Sequence, residues 1–229
     1  MIINKKEAFH IPGFSSKICE EEHLERYTFA SGFVRGKMVL DIACGVGYGS
    51  EIMARSGASY VLGCDIMQEN IVFAQNNYNN PNLKFKQKDA TKSINEGQFD
   101  IVVSFETIEH VENYSGVIKS LYESLRVGGH LIISSPNRKI TDPYLQLLAR
   151  PSFEFHFREF KREEFYLMLE FCGFKSIKQY GQRHQFYFHS PFLEKHFKRL
   201  FKPSKHSSPV VTPILANREP EYFVFVAEK

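Results

Sequence analysis

Asp41, Gly45, Gly47 and Gly49 stand together in Met38-Val-Leu-Asp-Ile-Ala-Cys-Gly-Val-Gly-Tyr-Gly49. Val39, Leu40 and Ile42 read as a short buried strand that breaks into a glycine-rich turn and then a helix. The three glycines allow a tight turn and let the backbone approach a ligand with no Cβ in the way. Asp41 falls near the strand end, where an open parallel sheet places its ligand crevice. This chemistry suits a nucleotide-like ligand.

The elements that must position these residues follow from hydrophobic spacing. Cys19 to Val34 reads as a helix, with Leu24, Tyr27, Ala30 and Val34 at helical spacing. Strand one is 38–42, and a helix from about Tyr48 to Ser56 stops at Gly57, a left-handed cap. Tyr60–Asp65 is the second strand, and a helix through Ile71, Ala74 and Tyr78 runs until Pro81. Lys84 to Lys88 forms a third strand before Asp89, and the apolar run Phe99–Phe105 a fourth, buried on both faces. A helix carrying Val117, Ile118, Leu121, Tyr122 and Leu125 leads to strand five, His130 to Ser134. Then come a helix near Lys161–Cys172, a strand around Phe174–Tyr180 and a last strand, Glu221–Ala227. Strands alternating with helices over short loops mean an α/β, doubly wound, mostly parallel sheet.

With 229 residues and no Pro/Gly/Ser-rich linker, 1–229 reads as a single domain. Its N-terminal helix region is 1–36, and the long irregular stretches 138–160 and 183–220 are insertions where the acceptor would bind. A net charge of +3 is too small to imply a nucleic-acid partner. No window reaches the length of a signal peptide's apolar core or of a membrane span. Cys19, Cys44, Cys64 and Cys172 form no CxxC pair and no zinc spacing, which favours reduced thiols in a cytoplasmic setting. Nothing in the sequence selects an oligomeric state.

Five motifs in order now resemble those of the class I S-adenosylmethionine-dependent methyltransferases: the glycine loop, Asp65 at 24 positions after Asp41, Asp89-Ala90, Phe99–His110 and Leu125–Asn137. The resemblance spans roughly residues 20–180 and the final strand. It implies a Rossmann-like seven-stranded sheet of order 3-2-1-4-5-7-6, the last strand antiparallel, with helices on both faces. It also implies S-adenosyl-L-methionine as cofactor and S-adenosyl-L-homocysteine as product. Asp65 would accept both ribose hydroxyls, Ile66 and Met67 would flank the adenine, and Asp89 would meet its amino group with Ala90 leaving room. Backbone amides of the loop around Ala43, Cys44, Gly45, Gly47 and Tyr48 would meet the methionine carboxylate, with Asp41 and Phe105 lining the same crevice. The family often has glycine where Ala43 sits, which implies slightly tighter clearance there. Gly-x-Gly-x-Gly is not the dinucleotide pattern Gly-x-Gly-x-x-Gly, so a nicotinamide cofactor is set aside. Arg26 and Tyr27 resemble a segment that closes over the cofactor; Tyr27 would either hydrogen-bond near the sulfonium or pack on the sheet.

Methyl transfer from a sulfonium is an in-line displacement that needs alignment and, for a hydroxyl, a proton acceptor. His110, just past strand four, is the candidate base, with Glu106 beside it; a structural histidine is the alternative. Glu106, Glu109 and His110 with His156 also resemble the metal-binding set of small-RNA 2′-O-methyltransferases and of quinone-pathway O-methyltransferases. That leaves open a divalent cation and an RNA-terminus or catechol-like acceptor. Otherwise Glu106 would orient the cofactor and Glu109 would face solvent. Ser135-Pro-Asn-Arg138 and His-x-x-Glu-Phe160 resemble methyltransferases of glycan assembly, so the first expectation is a hydroxyl of a small molecule or glycan precursor. A non-catalytic cofactor-binding sensor or scaffold is a further alternative. The stretch 192–202 has phenylalanines and leucines on one helical face ringed by lysines and Arg199, a peripheral membrane contact or a packed helix.

Overall fold

Leu40 and Ile42 point to one face of the sheet and Val39 to the other, because side chains alternate along a strand. That alternation, repeated in every central strand, builds two cores. The computed structural model describes residues 17–143, 150–186 and 208–229. Strands β1 (Met38–Ile42), β2 (Tyr60–Asp65), β3 (Leu83–Gln87), β4 (Phe99–Ser104), β5 (Leu125–Pro136), β6 (Lys175–Phe186), β7 (Thr212–Pro213) and β8 (Arg218–Glu228) form one sheet ordered β3-β2-β1-β4-β5-β8-β6-β7. β1 pairs in parallel with β2 and β4, β4 with β5, and β8 runs antiparallel to β5 and β6.

The expected order therefore holds, with one correction. An eighth strand, the two-residue β7, adds to the edge against Tyr180 and Gly181. It is too short to carry a periodic signal.

Helices α1 (Lys17–Ser31), α2 (Tyr48–Arg55) and α3 (Gln68–Asn77) feed one core through Tyr27, Ala30, Met53, Ile71 and Ala74. Helices α4 (Tyr114–Ser124) and α6 (Arg162–Phe171) feed the other through Val117, Leu121, Phe165 and Leu169. The short helix α5 (Arg138–Thr141) follows β5. Leu125, expected in the helix, instead starts β5 and pairs with Phe99 before a register shift; it is buried either way, so the hydrophobic pattern could not separate the two.

α1 buries Tyr27 and Ala30 as expected, with Val34 just beyond it, but the buried face is turned away from Leu24 and takes in charged residues. Leu24 is exposed, while Glu22, His23, Arg26, Tyr27 and Ala30 are buried. Arg183 on β6 donates to Glu22, and Arg26 Nη1 donates to Gln182 Oε1 at 2.7 Å. A charged helix face is thus docked on partners more than 150 positions away in the chain, beyond the reach of local pattern. Residues 183–186 and 218–220 prolong β6 and β8, so the irregular part of the 183–220 insertion is shorter than expected. The stretch 192–202 lies outside the described residues.

Candidate functional site

The loop after β1 sits at the C-terminal edge of the parallel strands. Ala43, Gly45 and Gly47 all take positive φ, at 59°, 55° and 88°. The three glycines serve three ends. A Cβ on Gly45 would meet nothing within 4 Å, so this is the glycine of the three that faces open space. A Cβ on Gly47 would come within 2.7 Å of the Phe85 ring, and one on Gly49 within 2.1 Å of the Tyr27 ring. Those two positions are glycine so that aromatic rings of the protein can pack, a correction to the reading of all three as ligand-facing. Ala43 in the left-handed region carries backbone strain, more than the tighter clearance expected from its Cβ.

Asp65 ends β2 and holds the loop. Its Oδ2 accepts from Gly45 N at 3.0 Å, and its Oδ1 accepts from Met67 N at 2.8 Å and Asn70 Nδ2 at 3.1 Å. An ionised carboxylate offers about four acceptor sites, so capacity remains for a ligand hydroxyl. Ile66 beside it is 60% exposed, an apolar surface of the kind a planar base covers. Met67 is half-buried. Asp89 Oδ1 accepts from the Thr91 amide at 2.9 Å and the Thr91 hydroxyl at 2.7 Å, with Lys92 Nζ 3.3 Å from Oδ2. Those hydrogen bonds hold its carboxyl below the ordinary range. Ala90 is half-buried against the core.

Asp41 and Tyr27 are turned inward. Asp41 is fully buried; Ser50 Oγ donates to its Oδ2 at 2.6 Å and the Tyr27 hydroxyl donates to its Oδ1 at 3.2 Å. Burial pushes the Asp41 carboxyl up to about 7. Tyr27 is 4% exposed, packed edge-on against Tyr48 at 5.5 Å and Phe105 at 5.1 Å. Their hydroxyl and carboxylate are spent on each other, so Tyr27, Asp41, Phe105 and the buried Cys44 shape the crevice from beneath. Tyr27 packs on the sheet, the second of the two alternatives for it. Burial pushes the Cys19 thiol up to about 11 and the Cys64 thiol up to about 12, which keeps both protonated and poorly nucleophilic.

β4 ends in a kink at Glu106, with φ of 47°. Ser134 Oγ on β5 donates to Glu106 Oε1 at 2.6 Å, and Arg26 Nη1 lies 3.9 Å from the same oxygen. A 3-10 turn, Ile108–His110, follows. Glu109 in it is fully buried, which sets aside the alternative in which it faces solvent. Ser135 Oγ donates to its Oε2 at 3.0 Å, whereas Oε1 has no hydrogen-bond partner. Burial, with the neighbouring Glu106 charge, raises the Glu109 carboxyl well above the usual range.

The Glu109 backbone carbonyl accepts from Phe157 N at 2.6 Å and Arg158 N at 3.0 Å, which pins the 153–160 loop to this turn. The loop thereby delivers two groups to His110. Phe155 O accepts from His110 Nδ1 at 3.0 Å, and the His156 ring stands edge-on 4.8 Å away, centroid to centroid. A carbonyl only accepts, so in the neutral ring Nδ1 carries the hydrogen and Nε2 carries the lone pair. The surrounding protein lowers the His110 imidazole below 6.5, against the pull of the Phe155 carbonyl.

Of the four expected metal ligands, Glu109, His110 and His156 each offer a donor atom, all within 4.8 Å of one another. Glu106 is not in that group; its carboxylate is engaged by Ser134 and Arg26. Two imidazoles and the Glu109 carboxylate, whose buried Oε1 has no hydrogen-bond partner, fit a divalent transition ion. The Phe155 carbonyl and Thr141 have no signal in the sequence, and Glu159 stands there only within His-x-x-Glu-Phe160, with no role of its own. A backbone carbonyl leaves no trace in residue type, while the His156–Glu159 spacing shows a pairing but not what it does.

Residues 40–133 match the family model described as a methyltransferase domain. A probable S-adenosylmethionine-dependent methyltransferase of Mycolicibacterium smegmatis is 29% identical over 149 residues, 65% of this chain and 56% of that protein. A ubiquinone biosynthesis O-methyltransferase of Psychrobacter arcticus is 36% identical over 109 residues, 45% of this chain and 42% of its own length. The chain thus spans about half the length of the curated relatives it matches. Among solved structures, an S-adenosylmethionine-dependent methyltransferase from Mesorhizobium loti superposes with a TM-score of 0.62 at 17% identity, covering 86% of this chain and 92% of its own. Magnesium protoporphyrin IX methyltransferase from Synechocystis, solved with bound S-adenosylhomocysteine, gives 0.57 at 20% identity over 93% and 83%. The matched domain at 40–133, the strand order and the glycine loop braced by Asp65 agree in giving this chain the fold of the class I S-adenosylmethionine-dependent methyltransferases.

Proposed function

We propose that the chain transfers a methyl group from S-adenosyl-L-methionine to a hydroxyl of a small molecule or glycan precursor, with His110 as the base and S-adenosyl-L-homocysteine as product. The observation that carries this reading is the His110 Nδ1–Phe155 carbonyl bond, which leaves Nε2 free to accept a proton. When bound, the cofactor supplies an electrophilic methyl carbon on a sulfonium. Gly45 leaves room for its methionine half, Asp65 meets the ribose and Ile66 covers the base. His110 takes the hydroxyl proton as the acceptor oxygen bonds to the methyl carbon and the carbon–sulfur bond breaks. Glu106, kinked at the end of β4 and held by Ser134, orients the cofactor side of the crevice. The O-methyltransferase names among the relatives support oxygen as the atom methylated. A net charge of +3 is too small to favour a nucleic-acid acceptor over a small one.

A second reading is favoured by the unpartnered Glu109 oxygen beside the two imidazoles. There Glu109, His110 and His156 would hold a divalent cation, whose chemistry would be to lower the pKa of a bound acceptor hydroxyl. One experiment separates the readings. The protein is incubated with methyl-labelled S-adenosylmethionine and a fractionated cell extract, with and without a chelator. Label entering a small-molecule or glycan fraction despite the chelator supports the first. Label lost on chelation, or entering RNA, supports the second. Saturable binding of S-adenosylhomocysteine with no label transferred to any fraction defeats both and leaves a cofactor-binding sensor.

A further inference from the structure

Glu159 is a buried acid with no part in the chemistry above; it is 3% exposed. A carboxylate so placed must be fully hydrogen-bonded to be tolerated. Its Oε1 lies 2.6 Å from His156 Nδ1, and the Thr141 hydroxyl at the end of α5 donates to its Oε2. The backbone around it is fixed as well. Arg138 N donates to Phe160 O at 3.0 Å, and the buried Phe160 ring packs edge-on against Tyr114 at 5.3 Å and Phe165 at 5.5 Å. His156 therefore has one ring nitrogen anchored to a rigid, buried acceptor, while its ring stands against His110.

We propose that Glu159 is a positioning residue: with Thr141 it holds His156 as the Nδ1–H tautomer, so that Nε2 is the lone-pair nitrogen presented at the acceptor site beside His110. The physical ground is that an ionised carboxylate only accepts hydrogen bonds, so the neutral ring must put its hydrogen on Nδ1. Carboxylate-held imidazoles have both tautomer and ring angle set by the partner; where such an imidazole ligates a metal, loss of the partner typically costs about 10–100-fold in metal affinity or activity. The device gives the site a second oriented imidazole, and it works the same way whether that nitrogen meets the acceptor hydroxyl or an ion. Its consequence for turnover rests on the proposed methyl transfer; the tautomer itself does not.

The test uses the full chain labelled with 15N-histidine, at a pH where the imidazole is neutral. Long-range proton–nitrogen correlation should show His156 with a protonated Nδ1 and a bare Nε2. In Glu159→Gln, whose amide can also donate to Nδ1, the His156 signals should shift toward the Nε2–H form. The same variant should lower kcat by about 10–100-fold with S-adenosylhomocysteine affinity unchanged within about twofold. If Glu159→Gln fails to fold, Glu159→Asp, whose shorter side chain withdraws the acceptor from Nδ1, should move the His156 signals in the same direction. A wild-type His156 in the Nε2–H form, or Glu159→Gln with the tautomer and kcat of the wild type, overturns the proposal. The expected tautomer in a protein that transfers no methyl group leaves Glu159 as the orienting residue and defeats the proposed function instead.

Discussion

The ring of Tyr27 occupies the space where a side chain on Gly49 would stand, 2.1 Å from the position of its Cβ. This contact joins the N-terminal helix to the first turn of α2, directly behind the ligand-facing loop. It also explains why the helix docks with its charged face inward: Tyr27, Arg26 and Glu22 all need the sheet side.

Gly49→Ala and Gly45→Ala should therefore fail in different ways. At Gly49 the added methyl overpacks a ring that is itself 4% exposed, at a cost of about 1–3 kcal/mol, seen as a lower urea midpoint. At Gly45 the methyl meets no protein atom, but φ of 55° costs about 1–2 kcal/mol and the methyl enters the ligand space. Calorimetry should then show S-adenosylhomocysteine affinity reduced far more by Gly45→Ala than by Gly49→Ala. Equal losses of affinity would contradict the division of labour between the two glycines.

Ala43→Gly should stabilise the fold. Relief of a left-handed alanine, about 1–2 kcal/mol, exceeds the extra entropy of an unfolded glycine, about 0.5–1 kcal/mol. The net gain, about 0.5–1 kcal/mol, corresponds to a rise in Tm of about 1–3 °C for a chain of this size. A fall in Tm would mean that the Ala43 methyl makes a packing contribution larger than its strain.

Asp41 sets a pH dependence of stability. Its folded pKa of about 7 lies above its unfolded value of 3.8, so the native state holds a proton that the unfolded state releases. Below about pH 4 both states are protonated and Asp41 carries no penalty. Stability falls as pH rises from about 4 to about 7, and the loss is complete above that, on the order of 4 kcal/mol for a shift of this size. Asp41→Asn keeps the position neutral. Urea denaturation at pH 4.5, 6 and 8 should show a smaller loss across this window in the variant than in the wild type; parallel curves would refute the assignment.

His110→Ala should abolish turnover, a loss of about 10²–10⁴-fold being usual for a general base, while leaving cofactor binding intact. Its Nδ1 bond reaches only a backbone carbonyl, so removal leaves no buried charge behind. Methyl-transfer rates and S-adenosylhomocysteine titrations on the same preparation check both halves. Turnover at the wild-type rate would remove His110 from the chemistry.

Much of this molecule was legible in residue order alone. The glycine loop, the acids at or just after the ends of β2 and β3, the mainly apolar β4 and the alternation of strands with helices are local or periodic signals, and they carry the strand order and the place of the candidate site at the strand ends. These features depend on backbone sterics and burial, which act over a few neighbouring residues. What only the tertiary structure decided lies between distant segments. Tyr27, open in the sequence between a cofactor contact and packing on the sheet, donates to the buried Asp41, and Glu109, open between a metal ligand and a solvent-facing acid, is buried against β5. The 3-10 turn and the 153–160 loop meet through the backbone of Glu109, and His110 is oriented by a carbonyl 45 positions away. A hydrogen bond to a carbonyl is blind to residue type, so no sequence pattern announces it; its geometry exists only once the sheet has brought the two loops together.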